Sequence, residues 1–198
     1  MRGAVRIFLL LLALAELGGC SGHKRAVMTA EPLPAQKDQQ QLLLRNKVTS
    51  LMGKGNYRRA IELMCRNKHP GSPAAGLEQE YVAAVNGLVA AGEEYFTHGD
   101  YATAGRSFKW AIDSYPADPA LWERLRWEPK QLKAHLEICS NRLMEEGLQE
   151  YRRGNLESAI RKWKGLIAFN AGHREAKKAI ATATAQLRAL KTMENQQQ

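Results

Sequence analysis

Three short segments of this chain share one signature, which constrains the fold more than any other feature. They are Gly55–Ile61 (GNYRRAI), Gly99–Ala104 (GDYATA) and Gly154–Ile160 (GNLESAI). In each, a Gly suited to end one helix precedes an Asn or Asp suited to cap the next, and a large apolar residue and a small one follow. The signature predicts three pairs of antiparallel helices joined by tight turns, and therefore an all-α fold.

The second copy extends this pattern on both sides. Its additional residues are Gly92, Tyr95, Phe108, Ala111 and Pro116. These offsets resemble the tetratricopeptide (TPR) repeat, in which small residues let two helices approach closely and Pro ends the second helix. The third copy keeps Gly147 and a bulky Trp163, whereas the first has Val48 and Met64 at those two positions. By this resemblance, the chain holds about three hairpins of TPR type.

The spacing of the copies departs from a regular array. The signature glycines are 44 and 55 residues apart (99 − 55 and 154 − 99), against about 34 in tandem TPRs. Long helical stretches at 77–97 and 128–153 predict lengthened first helices, with an extra short helix around 119–127 as the alternative. The amphipathic stretch 173–193 predicts a C-terminal capping helix.

The N-terminus has the pattern of a bacterial signal peptide. Arg2 and Arg6 supply a positive segment ahead of an apolar run, Ile7–Ala15, which is too short to span a bilayer. The Leu-Gly-Gly-Cys sequence ending at Cys20 resembles the lipobox of bacterial lipoproteins. That resemblance implies cleavage before Cys20 and its lipidation, and several acyl chains on one residue anchor a protein firmly.

The segments around the repeats complete the predicted domain organisation. We expect a signal peptide at 1–19, a lipid-anchored flexible linker at 20–41, a helical repeat domain at 42–193 and a disordered tail at 194–198. Because Ser21 follows the Cys, the lipoprotein resemblance implies the outer membrane, facing the periplasm, in a bacterium with two membranes.

The TPR resemblance also implies where a partner binds. TPR arrays bind ligands on a concave groove lined by their first helices, and aromatic and Arg side chains dominate binding energy at interfaces. The predicted groove residues are Arg45 in the first unit, Asn86, Glu93 and Phe96 in the second, and Asn141, Met144, Tyr151 and Arg152 in the third. Packing between helices is the alternative role for Phe96 and Tyr151.

The sequence contains none of the common catalytic or metal-binding motifs, so we expect no enzyme activity, no metal site and no cofactor. His135 and Cys139 share a helix face, but a metal site needs at least one more ligand. Cys65 and Cys139 are either joined in a disulfide or remain as two separate buried thiols. The intervening hairpin favours thiols.

The chain is basic, with a formal net charge of +9. Eight basic residues lie late in it, at Arg152, Arg153, Arg161, Lys162, Lys164, Arg174, Lys177 and Lys178. A periplasmic location argues against nucleic acid as a partner. Anionic glycans or lipid head groups are then candidate ligands, and a solvated helix face is the simpler interpretation.

A second cluster lies in the longer insertion, where Arg124 and Arg126 stand between Trp122 and Trp127. It predicts either a recognition patch or a plug over the enlarged junction. Our leading hypothesis is a lipid-anchored TPR adaptor that binds a partner protein in the cell envelope, in assembly of an envelope or secretion complex. The alternative is a basic structural protein that associates with anionic envelope polymers.

Overall fold

The computed structural model describes residues 34–65 and 71–196, and these form an all-helical array. The α-helices are α1 (Pro34–Gly53), α2 (Tyr57–Met64), α3 (Glu78–Thr97), α4 (Tyr101–Asp113), α5 (Pro129–Arg152), α6 (Leu156–Ile167) and α7 (Arg174–Gln196). A 3₁₀ helix, Pro119–Arg124, lies between α4 and α5. Within the described residues, each α-helix packs against its neighbours in sequence, so the predicted array of three hairpins with a capping helix is confirmed.

The three signature glycines make the same turn in each hairpin. Gly55, Gly99 and Gly154 have φ of 71°, 77° and 82°, the left-handed region that favours glycine. After each glycine, the next residue's N–H donates a 2.9 Å hydrogen bond to a carbonyl five residues earlier, at Leu51, Tyr95 and Glu150. These bonds satisfy carbonyls that the end of the first helix would leave unpaired.

The predicted helix caps differ among the hairpins. The Asp100 carboxylate accepts a 3.0 Å hydrogen bond from the Thr103 N–H and so caps α4. Asn56 makes no such side-chain bond at the start of α2. Asn155 also makes none at α6, and its amide nitrogen donates to the carboxylate of Glu150. The prediction that all three side chains are caps was therefore wrong at two positions.

In the second and third hairpins, close helix contact depends on a glycine that faces a large aromatic ring. A Cβ added at Gly92 would lie 2.5 Å from the ring of Phe108, and one added at Gly147 would clash with the indole of Trp163. The first hairpin, with Val48 and Met64 in these places, buries both side chains almost completely. The repeat therefore accommodates a different pair while keeping the junction filled.

The first helices are long, as the sequence predicts. α1 and α3 have 20 residues each and α5 has 24, whereas α2, α4 and α6 have 8, 13 and 12. The extra short helix forms as well, because Asp118 accepts from the Ala120 N–H and Pro119 suits a first turn. α1 begins at Pro34, within the segment predicted to be linker, and α7 reaches Gln196, within the predicted tail.

Tyr81 joins the first two hairpins. Its hydroxyl donates a 2.8 Å hydrogen bond to the carbonyl of Ser114 and accepts a 2.9 Å bond from the Gly71 N–H. The side chain is fully buried, and this burial raises the pKa of Tyr81 above its usual value. A buried hydroxyl with both bonds made fixes the end of α4 against the connection that precedes α3.

Cys65 and Cys139 are both buried free thiols, which resolves the two alternatives for this pair. Burial raises the pKa of the Cys139 thiol to about 12. No helix in the described part of the chain is long and apolar enough to cross a membrane.

Candidate partner-binding site

Arg45, the groove residue predicted in the first hairpin, contacts the chain itself. Its guanidinium forms a 2.6 Å ion pair with Glu80 of α3 and donates to the carbonyl of Gly76. One helical turn earlier, the amide of Gln41 donates a 3.2 Å hydrogen bond to the carbonyl of Ala75. α1 therefore holds the connection that leads into α3.

Asn86 and Glu93, predicted in the second hairpin, hold the chain's own insertion. The Asn86 amide donates a 3.0 Å hydrogen bond to the carbonyl of Arg124 and accepts a 2.8 Å bond from the Arg126 N–H. The carboxylate of Glu93 forms a 2.9 Å ion pair with the guanidinium of Arg126. Two of the predicted groove residues are thus brought together, and their polar groups are already partnered.

Phe96 belongs to an aromatic cluster between the second and third hairpins. Its ring lies 5.5 Å from those of Tyr101 and His135, both in edge arrangements. Trp127 stacks on Phe108 at 5.4 Å and approaches His135 to 4.3 Å. Phe96 therefore packs between helices, which was the alternative role for this residue, and His135 lies among aromatic rings.

Asn141 and Met144, predicted in the third hairpin, lie in different environments. Asn141 is exposed and lines an open cleft of about 440 Å³, together with Lys133, Glu137, Ser140, Asn170 and His173 among others. Met144 is half-buried against the core, and its carbonyl accepts a 3.2 Å hydrogen bond from the indole N–H of Trp163.

Tyr151 and Arg152 lie at the end of α5. Tyr151 is half-buried with its ring 6.0 Å from that of Trp163, and Arg152 is exposed. Tyr151 also borders a second open cleft, of about 470 Å³, between the turn into α6 and the distal part of α7. Leu190 and Met193 of α7 line this cleft with about half of each side chain exposed.

The two tryptophans of the insertion have different roles. Trp127 covers Phe108 and fills the junction, whereas Trp122 is 48% exposed with its indole N–H donating to the carbonyl of Pro116. Leu121, next to Trp122, is buried. The segment therefore acts as a plug through Trp127 and leaves Trp122 at the surface.

Two features had not been predicted from the sequence: the side-chain hydrogen bonds by which the first helices hold their own chain, and the second cleft. No role had been predicted for Gln41 or for the residues of α7 that line the second cleft. Leu187, Leu190 and Met193, at three-residue spacing, continue the apolar stripe into the C-terminal part of α7, which is longer than α6. That stripe was the available signal. The hydrogen bonds of Asn86 had no sequence signal, since their partners are main-chain atoms 38 and 40 residues away.

The lipidation site predicted at Cys20 lies outside the described residues. Within them, no three His, Cys, Asp or Glu side chains are grouped so as to hold a metal ion. No protein-family model, curated protein or solved structure matches the chain.

Proposed function

We propose that this chain is a lipid-anchored adaptor of the TPR kind, without enzyme activity, that binds a partner protein in the bacterial cell envelope. The observation that carries this proposal is the threefold recurrence of one hairpin turn: each has the same left-handed glycine and the same hydrogen bond across it. In the second and third hairpins a glycine of the first helix also faces a large aromatic ring of the second. Stacked helical hairpins of this kind expose extended surfaces suited to binding other proteins.

The open surfaces support a binding role on the third hairpin. Asn86 and Glu93 are engaged with the insertion and Phe96 with the aromatic cluster, so the second hairpin offers less free groove. Two clefts are open instead. Asn141 borders the one beside the N-terminal half of α5, and Tyr151 borders the one between the end of α5 and the distal part of α7. We therefore assign partner binding mainly to the third hairpin and its capping helix.

The location of the protein rests on the sequence. A signal peptide at 1–19 and acylation of Cys20 would anchor the chain in the outer membrane, with the array in the periplasm. An adaptor held at this surface would bring a partner to the membrane, in assembly of an envelope or secretion complex.

Site-specific photo-crosslinking in living cells tests the adaptor function. A photoreactive residue replaces Tyr151 or Arg152 in the full chain, and a control probe replaces Lys178 in the basic segment at the start of α7. Recurrent capture of one envelope protein from Tyr151 and Arg152, and not from Lys178, is expected. Absence of protein adducts at Tyr151, at Arg152 and at Lys133, which borders the other cleft, would contradict the adaptor function.

One observation favours the alternative function. Lys164, Arg174, Lys177 and Lys178 are exposed, and none forms an ion pair with another described residue. Four free cations on α6 and the start of α7 suit an anionic glycan or lipid head group. Binding that weakens steeply with salt, and that is lost when these four residues are changed to Gln, would support this function over a protein partner.

A further inference from the structure

The first hairpin holds a turn of its own chain through its first helix. Gln41 and Arg45 of α1 donate to the consecutive carbonyls of Ala75 and Gly76 in the connection between α2 and α3. Both bonds are made to main-chain atoms. The first helix therefore holds this connection without selecting its side chains.

The second hairpin repeats this arrangement with a more complete contact. The Asn86 amide uses its oxygen and its nitrogen on one segment, bonding the carbonyl of Arg124 and the N–H of Arg126. Leu125 between them has φ −85° and ψ 140°, an extended conformation. An amide that both donates to and accepts from an extended chain recognises a peptide main chain whatever its side chains.

Asn141 is the equivalent of Asn86 in the third hairpin. Each lies 13 residues before its turn glycine (99 − 86 and 154 − 141). The connection after α6 spans only residues 168–173 before α7 begins, and α7 packs on α6. Asn141 therefore faces the open cleft of about 440 Å³ and makes no side-chain hydrogen bond to another described residue.

The shape of the third hairpin explains why this place is open. α3 is longer than its partner α4, with 20 residues against 13, and it also packs against the 3₁₀ helix Pro119–Arg124. α5 is twice as long as α6, with 24 residues against 12, and the cleft follows its N-terminal half at Lys133 and Glu137. In the third hairpin the connection after α6 lines this cleft with Phe169, Asn170 and His173, and it makes no hydrogen bond with the Asn141 side chain.

We infer that the cleft beside Asn141 binds an extended peptide segment of the partner protein, with the Asn141 amide holding its main chain as Asn86 holds residues 124–126. This inference rests on the proposed adaptor function and assigns it a site and a ligand class. The volume of the cleft lies in the range of ligand sites, about 300 to 1,000 Å³.

The charges that line the cleft also favour main-chain recognition. Lys109 is ion-paired with Asp113, whereas Lys133 and Glu137 carry opposite charges and form no ion pair with a described residue. A lining with one free charge of each sign does not select a strongly acidic or basic polymer. Binding of a peptide in this cleft thus depends more on hydrogen bonds to its backbone than on its net charge.

The test uses the full chain in living cells, with a photoreactive residue in place of Lys133 at the edge of the cleft. Asn141→Ala removes the amide, and Arg142→Ala is the matched control, because Arg142 is the exposed neighbour whose ion pair with Glu145 lies outside the cleft. We expect adducts that map to one short stretch of one protein. Their yield should fall about tenfold with Asn141→Ala and stay unchanged with Arg142→Ala.

A synthetic peptide with the sequence of the captured stretch then distinguishes hydrogen bonding to the peptide main chain from nonspecific binding. It should bind the purified full chain, and methylation of the main-chain nitrogen that pairs with Asn141 should weaken binding by a similar factor. Capture at Lys133 that Asn141→Ala leaves unchanged would overturn the inference. So would capture from Tyr151 or Arg152 with none from Lys133, although the adaptor function would then stand. Absence of capture at all three positions would overturn both.

Discussion

The ring of Phe108 lies so close to the α-carbon of Gly92 that a Cβ on this glycine would come within 2.5 Å of it. The same opposition of Gly147 and Trp163 closes the third hairpin. These contacts set how near the two helices of a hairpin approach each other, and hence the shape of the surface that the array presents.

Gly92→Ala should therefore destabilise the domain. The added methyl group must displace a fully buried ring, and overpacking of this kind costs about 1 to 3 kcal/mol of the free energy of unfolding. Gly53→Ala is the control, because a Cβ there meets nothing within 4 Å. Its free energy of unfolding should be unchanged or raised by up to about 1 kcal/mol. Equal urea midpoints for the two variants would count against this packing.

Gly99→Ala should destabilise the turn for a different reason. No atom lies within 4 Å of a Cβ built there, but φ is +77°. A residue with a Cβ in that region costs roughly 1 kcal/mol, and the loss should appear as a lower melting temperature without any change in helix content. A melting temperature equal to that of the native chain would contradict the assigned turn.

Tyr81→Phe should cost about 1 to 3 kcal/mol of the free energy of unfolding, because the Ser114 carbonyl and the Gly71 N–H both lose their partner inside the protein. Urea titration followed by circular dichroism measures the loss. Tyr95→Phe provides the control, since this ring is 42% exposed. If both variants unfold at the same urea concentration, the bridge from Tyr81 does not contribute to stability.

Stability should also fall at alkaline pH. The Cys139 thiol, with a folded pKa of about 12, stays protonated when the unfolded chain ionises near its usual value of 9. Between these values the unfolded state binds fewer protons, so the free energy of unfolding decreases as pH rises, by up to about 1.4 kcal/mol per pH unit. We expect urea titrations under reducing conditions at pH 8 and 10.5 to show a larger loss for the native chain than for Cys139→Ala. Parallel losses would refute this assignment.

Cys20→Ala should abolish incorporation of labelled palmitate and release the protein from the membrane fraction or leave it unprocessed. Cys65→Ala should change neither property, because this second cysteine is buried in the array. Acyl labelling that persists in Cys20→Ala would exclude Cys20 as the anchor.

The repeated signature determined much of this fold by itself. A left-handed turn needs glycine, so Gly55, Gly99 and Gly154 located all three hairpin turns from local conformational preference. The spacing between them likewise predicted the long first helices and the short helix of the insertion. The capping role predicted for the two asparagines of the signature was wrong, because a polar side chain at a turn can form hydrogen bonds with several nearby groups. Asn155 donates to Glu150 instead.

Only the tertiary structure decided which predicted groove residues are free. Asn86 and Asn141 are the same residue type at the same place in their repeats, and nothing local distinguishes them. Asn86 is engaged because a long insertion returns across α3, and Asn141 is open because the connection after α6 is short. Contacts between residues far apart in the chain depend on how the connections run over the packed helices. The sequence therefore determined the hairpins, and the packing of their connections decided where a surface remains open.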